Sequence, residues 1–101
     1  MGLFGSLLGM AGGVVGEQLW PVYERICRSG YFSTELQEHI ENEERGTRKA
    51  IYLLALSRKD PSLAREIYDE RRTLYDNNFR NLSNYYRFKR EIEEFYRRIS
   101  F

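Results

Sequence analysis

The sequence contains one cysteine, Cys27, and one histidine, His39, among its 101 residues. A single cysteine excludes a disulfide within the chain and any metal site that needs several thiolates from one chain. This usage is typical of a reducing compartment, and we expect Cys27 to serve as a small buried hydrophobic residue rather than as a nucleophile. A single histidine excludes the paired Glu-x-x-His motifs of di-iron helix bundles.

The sequence also lacks the short motifs that carry catalytic chemistry. It has no nucleophile elbow, phosphate-binding loop, dinucleotide-binding fingerprint or zinc-ligand spacing. The formal net charge is +1, so no strong overall field draws the chain to nucleic acid or to an acidic substrate. We therefore predict a non-catalytic protein with no cofactor, no metal and no small-molecule substrate.

A carboxylate metal site built on Glu43, Glu44 and His39 is the weakest of the functional hypotheses. The acids of this region stand at helical spacing from bases, which favours ion pairing on a solvated helix face. The expected pairs are Glu41 with Arg45, and Glu44 with Arg48 or Lys49.

Proline is scarce, and long stretches are therefore free to be helical. No strand pattern appears, whereas apolar residues recur at helical spacing. We predict an all-α fold, an antiparallel helical hairpin of two long helices at 34–58 and 61–100. A shorter helix near 17–29 and a Gly-rich apolar N-terminal segment precede the hairpin, so residues 17–101 form the helical domain.

Local signals place the ends of these helices. Thr34 and Gln37 fit a capping box, and Asp60 followed by Pro61 fits an N-cap and a first helical residue. Gly46 is either a weak point within its helix or a close-packing contact, and continuity at 76–78 is left open. The tail has the 3-4 rhythm of coiled-coil packing at Tyr85, Phe88, Ile92, Phe95 and Ile99.

Residues 1–16 carry no charged side chain and hold six of the eight glycines. Five of those glycines fall on one stripe of a helix, because each is three or four positions along the chain from the next. Glycine costs about 1 kcal/mol per site in a water-exposed helix, so such a stripe favours close contact in a membrane or helical assembly. The predicted contact residues are Gly2, Leu3, Phe4, Gly5, Leu8, Gly9, Gly12, Val15, Gly16 and Trp20.

In a membrane, we expect residues 1–16 to insert shallowly or to assemble in several copies along the glycine stripe, rather than to span as a monomer. Sixteen helical residues span about 24 Å, which is less than the hydrocarbon core of about 30 Å. Trp20 and Tyr23 could lie at a membrane interface or pack on the body, and both readings stay open. The N-terminus fits the myristoylation pattern at Gly2. Because no base precedes the apolar stretch, we expect no secretory signal and a location in the cytoplasm or on the cytoplasmic face of a membrane.

The stretch 80–98 mixes bases with aromatic residues, which is typical of single-strand nucleic-acid binding. Glu91, Glu93 and Glu94 interrupt the positive charge, which favours an ion-paired amphipathic helix over nucleic-acid binding. The leading hypothesis is an interaction or assembly subunit with a protein partner or a second copy. The alternative is a nucleic-acid-binding module that uses Arg80, Tyr86, Arg87, Lys89, Arg90 and Arg97.

Overall fold

The computed structural model describes residues 11–101, with side chains from Gln18 onward. This part of the chain is all-α, as the sequence predicts. Its helices are α1 (Ala11–Arg28), α2 (Ser33–Asn42), α3 (Gly46–Lys59), α4 (Pro61–Glu70), α5 (Arg72–Leu82) and α6 (Tyr86–Arg98). Over 11–101, none of these helices has both the length and the apolar character needed to cross a bilayer.

Helix α3 is the centre of the fold and packs against each of the other five described helices. Its buried residues follow one another almost without interruption, since a helix surrounded on all sides needs apolar residues all round. They are Ala50, Ile51, Leu53, Leu54, Ala55, Leu56 and Ser57. The buried Ser57 hydroxyl donates to the Leu54 carbonyl at 2.7 Å, which satisfies its hydrogen-bonding need within the helix.

The prediction of one helix over 34–58 is wrong, because the chain leaves the helix between α2 and α3. Glu43 and Arg45 have extended backbones, with ψ of 128° and 127°. The Glu43 carboxylate accepts the Arg45 N–H at 3.1 Å, and such local bonds compete with helix formation. Gly46 then opens α3.

This interruption also removes the helical spacing on which the predicted ion pairs depended. Among residues 18–101, neither Glu41 with Arg45 nor Glu44 with a downstream base forms a salt bridge. Lys49 instead donates to the Ile40 carbonyl near the end of α2, where a cation is favourable.

The prediction of one helix over 61–100 is also wrong, because the chain turns at Arg71 and again at 83–85. Residues 76–78 lie within α5 and are helical. A continuous helix of 40 residues would be about 60 Å long, whereas α3, with 14 residues, offers about 21 Å of surface to cover. Three shorter helices can fold back around α3 and bury their apolar faces, so the chain does not form a hairpin of two long helices.

The start of α4 agrees with the prediction from the sequence, whereas the start of α2 differs from it. Asp60 accepts the Leu63 N–H at 3.1 Å, and Pro61 is the first residue of α4, as predicted. Helix α2 starts at Ser33, one residue earlier than predicted, with Phe32 as its N-cap. Glu35 accepts the Phe32 N–H at 2.8 Å, so it takes the place that the predicted capping box gave to the residue at 37.

Candidate interaction surface

The N-terminal contact residues fall only in part within the described chain. Gly12, Val15 and Gly16 belong to α1, which is already helical at Ala11, so the predicted boundary at 16/17 lies within a helix. Trp20 is the only predicted contact residue of this group whose side chain is described. Gly2, Leu3, Phe4, Gly5, Leu8 and Gly9 lie outside the described residues.

The second half of α1 is anchored on the body. Leu19, Tyr23 and Ile26 are buried, and their 4-3 spacing places them on one face of the helix. This face packs on α3 and α6. The orientation of α1 is therefore fixed by packing rather than by a flexible linker.

Trp20 joins α1 to the beginning of α6. Its ring lies 5.0 Å from that of Phe88 and 5.2 Å from that of Tyr23, and the Arg87 guanidinium lies 5.8 Å from its centroid. Aromatic pairs of this kind are worth about 0.5–1.5 kcal/mol beyond burial, and cation–π contacts add to this. Trp20 is partly buried and packs on the body, and its indole N–H has no acceptor among the described residues.

A hydrogen-bonded network below Trp20 ties α1, α3 and α6 together. The Tyr23 hydroxyl donates to Glu91 at 2.9 Å, and Arg58 donates to that hydroxyl at 3.5 Å. Burial raises the pKa of Tyr23, and the Arg58 hydrogen bond only partly opposes that rise. Cys27 is half-buried rather than fully buried, with its Sγ 3.8 Å from the Arg58 guanidinium. Sequence reasoning missed this network because Tyr23 and Glu91 are 68 residues apart.

A second network links α4, α5 and α6. One oxygen of Asp76 accepts hydrogen bonds from the hydroxyls of Tyr68 at 2.7 Å and Tyr96 at 2.5 Å. Burial, reinforced by the bond to Asp76, raises the pKa of both tyrosines. This arrangement holds three helices together, and no local spacing in the sequence indicates it.

The bases and the aromatic residue predicted to form a nucleic-acid-binding surface over 80–98 do not all lie together. Tyr86, Arg87, Lys89 and Arg90 lie together at the start of α6, and all four are exposed. Arg80 lies on another helix, α5, where it donates to Asn77 at 2.9 Å.

Arg97 lies near the far end of α6 and forms a salt bridge with Glu94. The Arg97 hydrogen bond lowers the pKa of Glu94. The core positions of the same helix, Phe88, Ile92 and Phe95, are buried, as their spacing predicts.

His39 lies between two aromatic rings rather than beside carboxylates. Its ring centroid is 4.8 Å from that of Tyr31 and 4.9 Å from that of Tyr52, with the latter pair stacked. In the described part of the chain, no three His, Cys, Asp or Glu side chains converge in a way that could hold a metal ion. The geometry gives no support to a site that combines His39 with Glu43 and Glu44.

The chain matches no protein-family model, no curated protein and no solved structure. Its own residues are therefore the basis of any proposal about function.

Proposed function

We propose that this protein is a non-catalytic assembly subunit. Its apolar segment, residues 1–16, docks into a membrane or a close-packed helical assembly, and its helical body binds a protein partner or a second copy of the chain. The observation that supports this most directly is the continuity of α1, which is one helix from Ala11 to Arg28.

The continuity of α1 puts the end of the glycine stripe and the anchored residues on the same helix. Gly16 is four residues from Trp20, a distance of about 6 Å along the helix axis. Trp20 and Tyr23 are held by aromatic packing on α6. Any contact made by the stripe would therefore act directly on the folded body.

The glycine stripe itself requires an explanation, because five glycines on one face cost a solvated helix several kcal/mol. Close approach of another backbone, or a lipid environment with tightly packed helices, offsets that cost. Leucine placed on the stripe would block such an approach, although leucine forms helix better than glycine does. Loss of assembly in such a variant would therefore not come from a weakened helix.

The test compares Gly9→Leu, on the stripe, with Ala11→Leu, about 200° around the helix. We expect Gly9→Leu to abolish self-association, because its side chain keeps a neighbouring backbone away, while Ala11→Leu behaves as wild type. Self-association is measured by size exclusion with light scattering. Circular dichroism should show the same helical body in both variants, and equal behaviour of the two variants would refute the stripe as the contact.

Nucleic-acid binding is the second candidate function, and the exposure of Tyr86 favours it. The Tyr86 ring is 68% exposed and stands in the same turn as Lys89 and Arg90, an arrangement suited to stacking and phosphate contact. With three phosphate contacts to a single strand, the logarithm of the binding constant should fall with the logarithm of the salt concentration with a slope of about −2. Binding that is absent, or that does not respond to salt, would remove this candidate.

A further inference from the structure

The stretch 77–90 contains four bases and no acid. Three of the bases, Arg87, Lys89 and Arg90, lie exposed in the first turns of α6, and we call them the basic patch. Arg87 and Arg90 share one face, and Lys89 lies about 100° around the helix from Arg90. The first turn of α6 has no acidic residue and no side-chain cap, so these cations add to the positive end of the helix dipole. The acids Glu91, Glu93 and Glu94 follow later in the helix, so the positive charge is concentrated at its start, where an anionic surface would offset the unfavourable contact with the dipole.

The basic patch adjoins the point at which the apolar segment joins the body. The Arg87 guanidinium lies over the ring of Trp20, and Trp20 follows Gly16 by one helical turn. The described end of the apolar segment, Gly16, therefore lies one turn from the side chain that Arg87 contacts, although Gly16 and Arg87 are about 70 residues apart in the chain.

Aromatic side chains lie where α1 meets the start of α6. Tyr86 is largely exposed, whereas Trp20 and Tyr85 are partly buried with their rings 6.4 Å apart. Tyrosine and tryptophan are enriched at the headgroup level of bilayers, where one end of each side chain is apolar and the other is hydrated. Gly16, Trp20 and Arg87 thus follow one another from apolar helix to aromatic ring to base, which is the order of environments met on leaving a bilayer.

We propose that the basic patch binds the anionic headgroups of a lipid bilayer while residues 1–16 insert shallowly beside it. This inference rests on the proposed function and names the partner of its apolar segment. A single short apolar anchor gives only marginal membrane binding, and an adjacent basic cluster supplies the second attraction. A nucleic acid would use the bases and the aromatic rings but would leave the adjacent apolar segment without a role.

The experiment is sedimentation of the full chain with phosphatidylcholine vesicles, with and without added phosphatidylserine. The patch variant is Arg87→Gln, Lys89→Gln and Arg90→Gln. The matched control, Arg45→Gln, Lys59→Gln and Arg71→Gln, removes the same charge from exposed sites elsewhere. Lys89→Gln with Arg90→Gln keeps the Arg87 contact with Trp20, so it tests the charge even if the triple variant loses stability.

Each base near an anionic surface contributes roughly a fivefold gain in partitioning, so the patch variant should lose on the order of 100-fold on anionic vesicles. The double variant should lose about 30-fold by the same reasoning, and the control should stay close to wild type. On neutral vesicles all four proteins should partition equally.

Equal binding of wild type to neutral and anionic vesicles, or equal losses in the patch and control variants, would overturn the lipid-binding role of the patch. If wild type binds neither vesicle, the lipid partner is wrong, while self-association in light scattering would still support the assembly function. Tighter binding to a single-stranded oligonucleotide than to anionic vesicles, lost in the patch variant, would also overturn it in favour of nucleic acid.

Discussion

The bonds from Tyr68 and Tyr96 to one oxygen of Asp76 allow a quantitative prediction about stability. Hydrogen bonds to a charged acceptor contribute about 1.5–3 kcal/mol when they are well buried. Tyr96 is 37% exposed and Asp76 is half-buried, so we expect about 1 kcal/mol from each bond. Asp76→Ala should therefore lower the free energy of unfolding by about 2 kcal/mol. This loss is reduced by up to about 0.7 kcal/mol because alanine is the better helix former.

The assay is a double-mutant cycle on the free energy of unfolding in urea, monitored by circular dichroism. Tyr96→Phe keeps the ring against Phe79 and Phe95 and removes only the hydroxyl, so it should cost about 1 kcal/mol, or a fall in Tm of about 4–8 °C. In the Asp76→Ala background the same change should cost almost nothing. The matched control is Tyr86→Phe, whose exposed ring predicts no measurable change.

The pattern of the cycle, rather than any single value, decides whether the two groups interact. If Tyr96→Phe costs the same with and without the Asp76 carboxylate, the coupling free energy is zero and the bond does not contribute. A stabilising hydrogen bond between Tyr96 and Asp76 would then be refuted, even if each single variant is destabilised.

Two further predictions concern titration and capping. Burial is the largest cause that raises the pKa of Tyr23, Tyr52, Tyr68, Tyr75 and Tyr96 above the ordinary 10.0. Since a raised folded pKa gives stability that is complete below pH 10.0 and lost as the pH rises through the folded pKa, the tyrosinate absorbance of these five side chains should appear together with loss of helix at alkaline pH. Full tyrosinate absorbance of all eight tyrosines with intact helices would contradict this. Asp60→Ala should cost about 1 kcal/mol in urea unfolding, because the Leu63 N–H loses its acceptor, and an unchanged midpoint would show that the cap contributes nothing.

The parts of the fold that the sequence predicts correctly are those fixed by local patterns. The all-α class follows from helical periodicity, and the start of α4 follows from Asp60 and Pro61. The buried positions Phe88, Ile92 and Phe95 follow from 3-4 spacing. Each of these signals spans only a few residues, so no knowledge of the tertiary structure is needed.

The helix breaks could not be predicted in the same way, because their positions depend on the tertiary structure. The turns at Arg71 and at 83–85 involve no glycine and no proline. The chain nevertheless turns at both places and covers the short central helix α3. At the interaction surface, the sequence identified Trp20 and Arg87 as contact candidates but could not show that they touch. Contacts between distant positions depend on how the helices pack, and spacing along one helix carries no information about them.

We propose that the glycine stripe of residues 1–16 packs closely against a neighbour. The most direct measurement is the molar mass, by size exclusion with light scattering, of wild type, Gly9→Leu and Ala11→Leu. We expect Gly9→Leu alone to remain monomeric while its helix content is unchanged. A Gly9→Leu protein that assembles as wild type does would contradict this expectation.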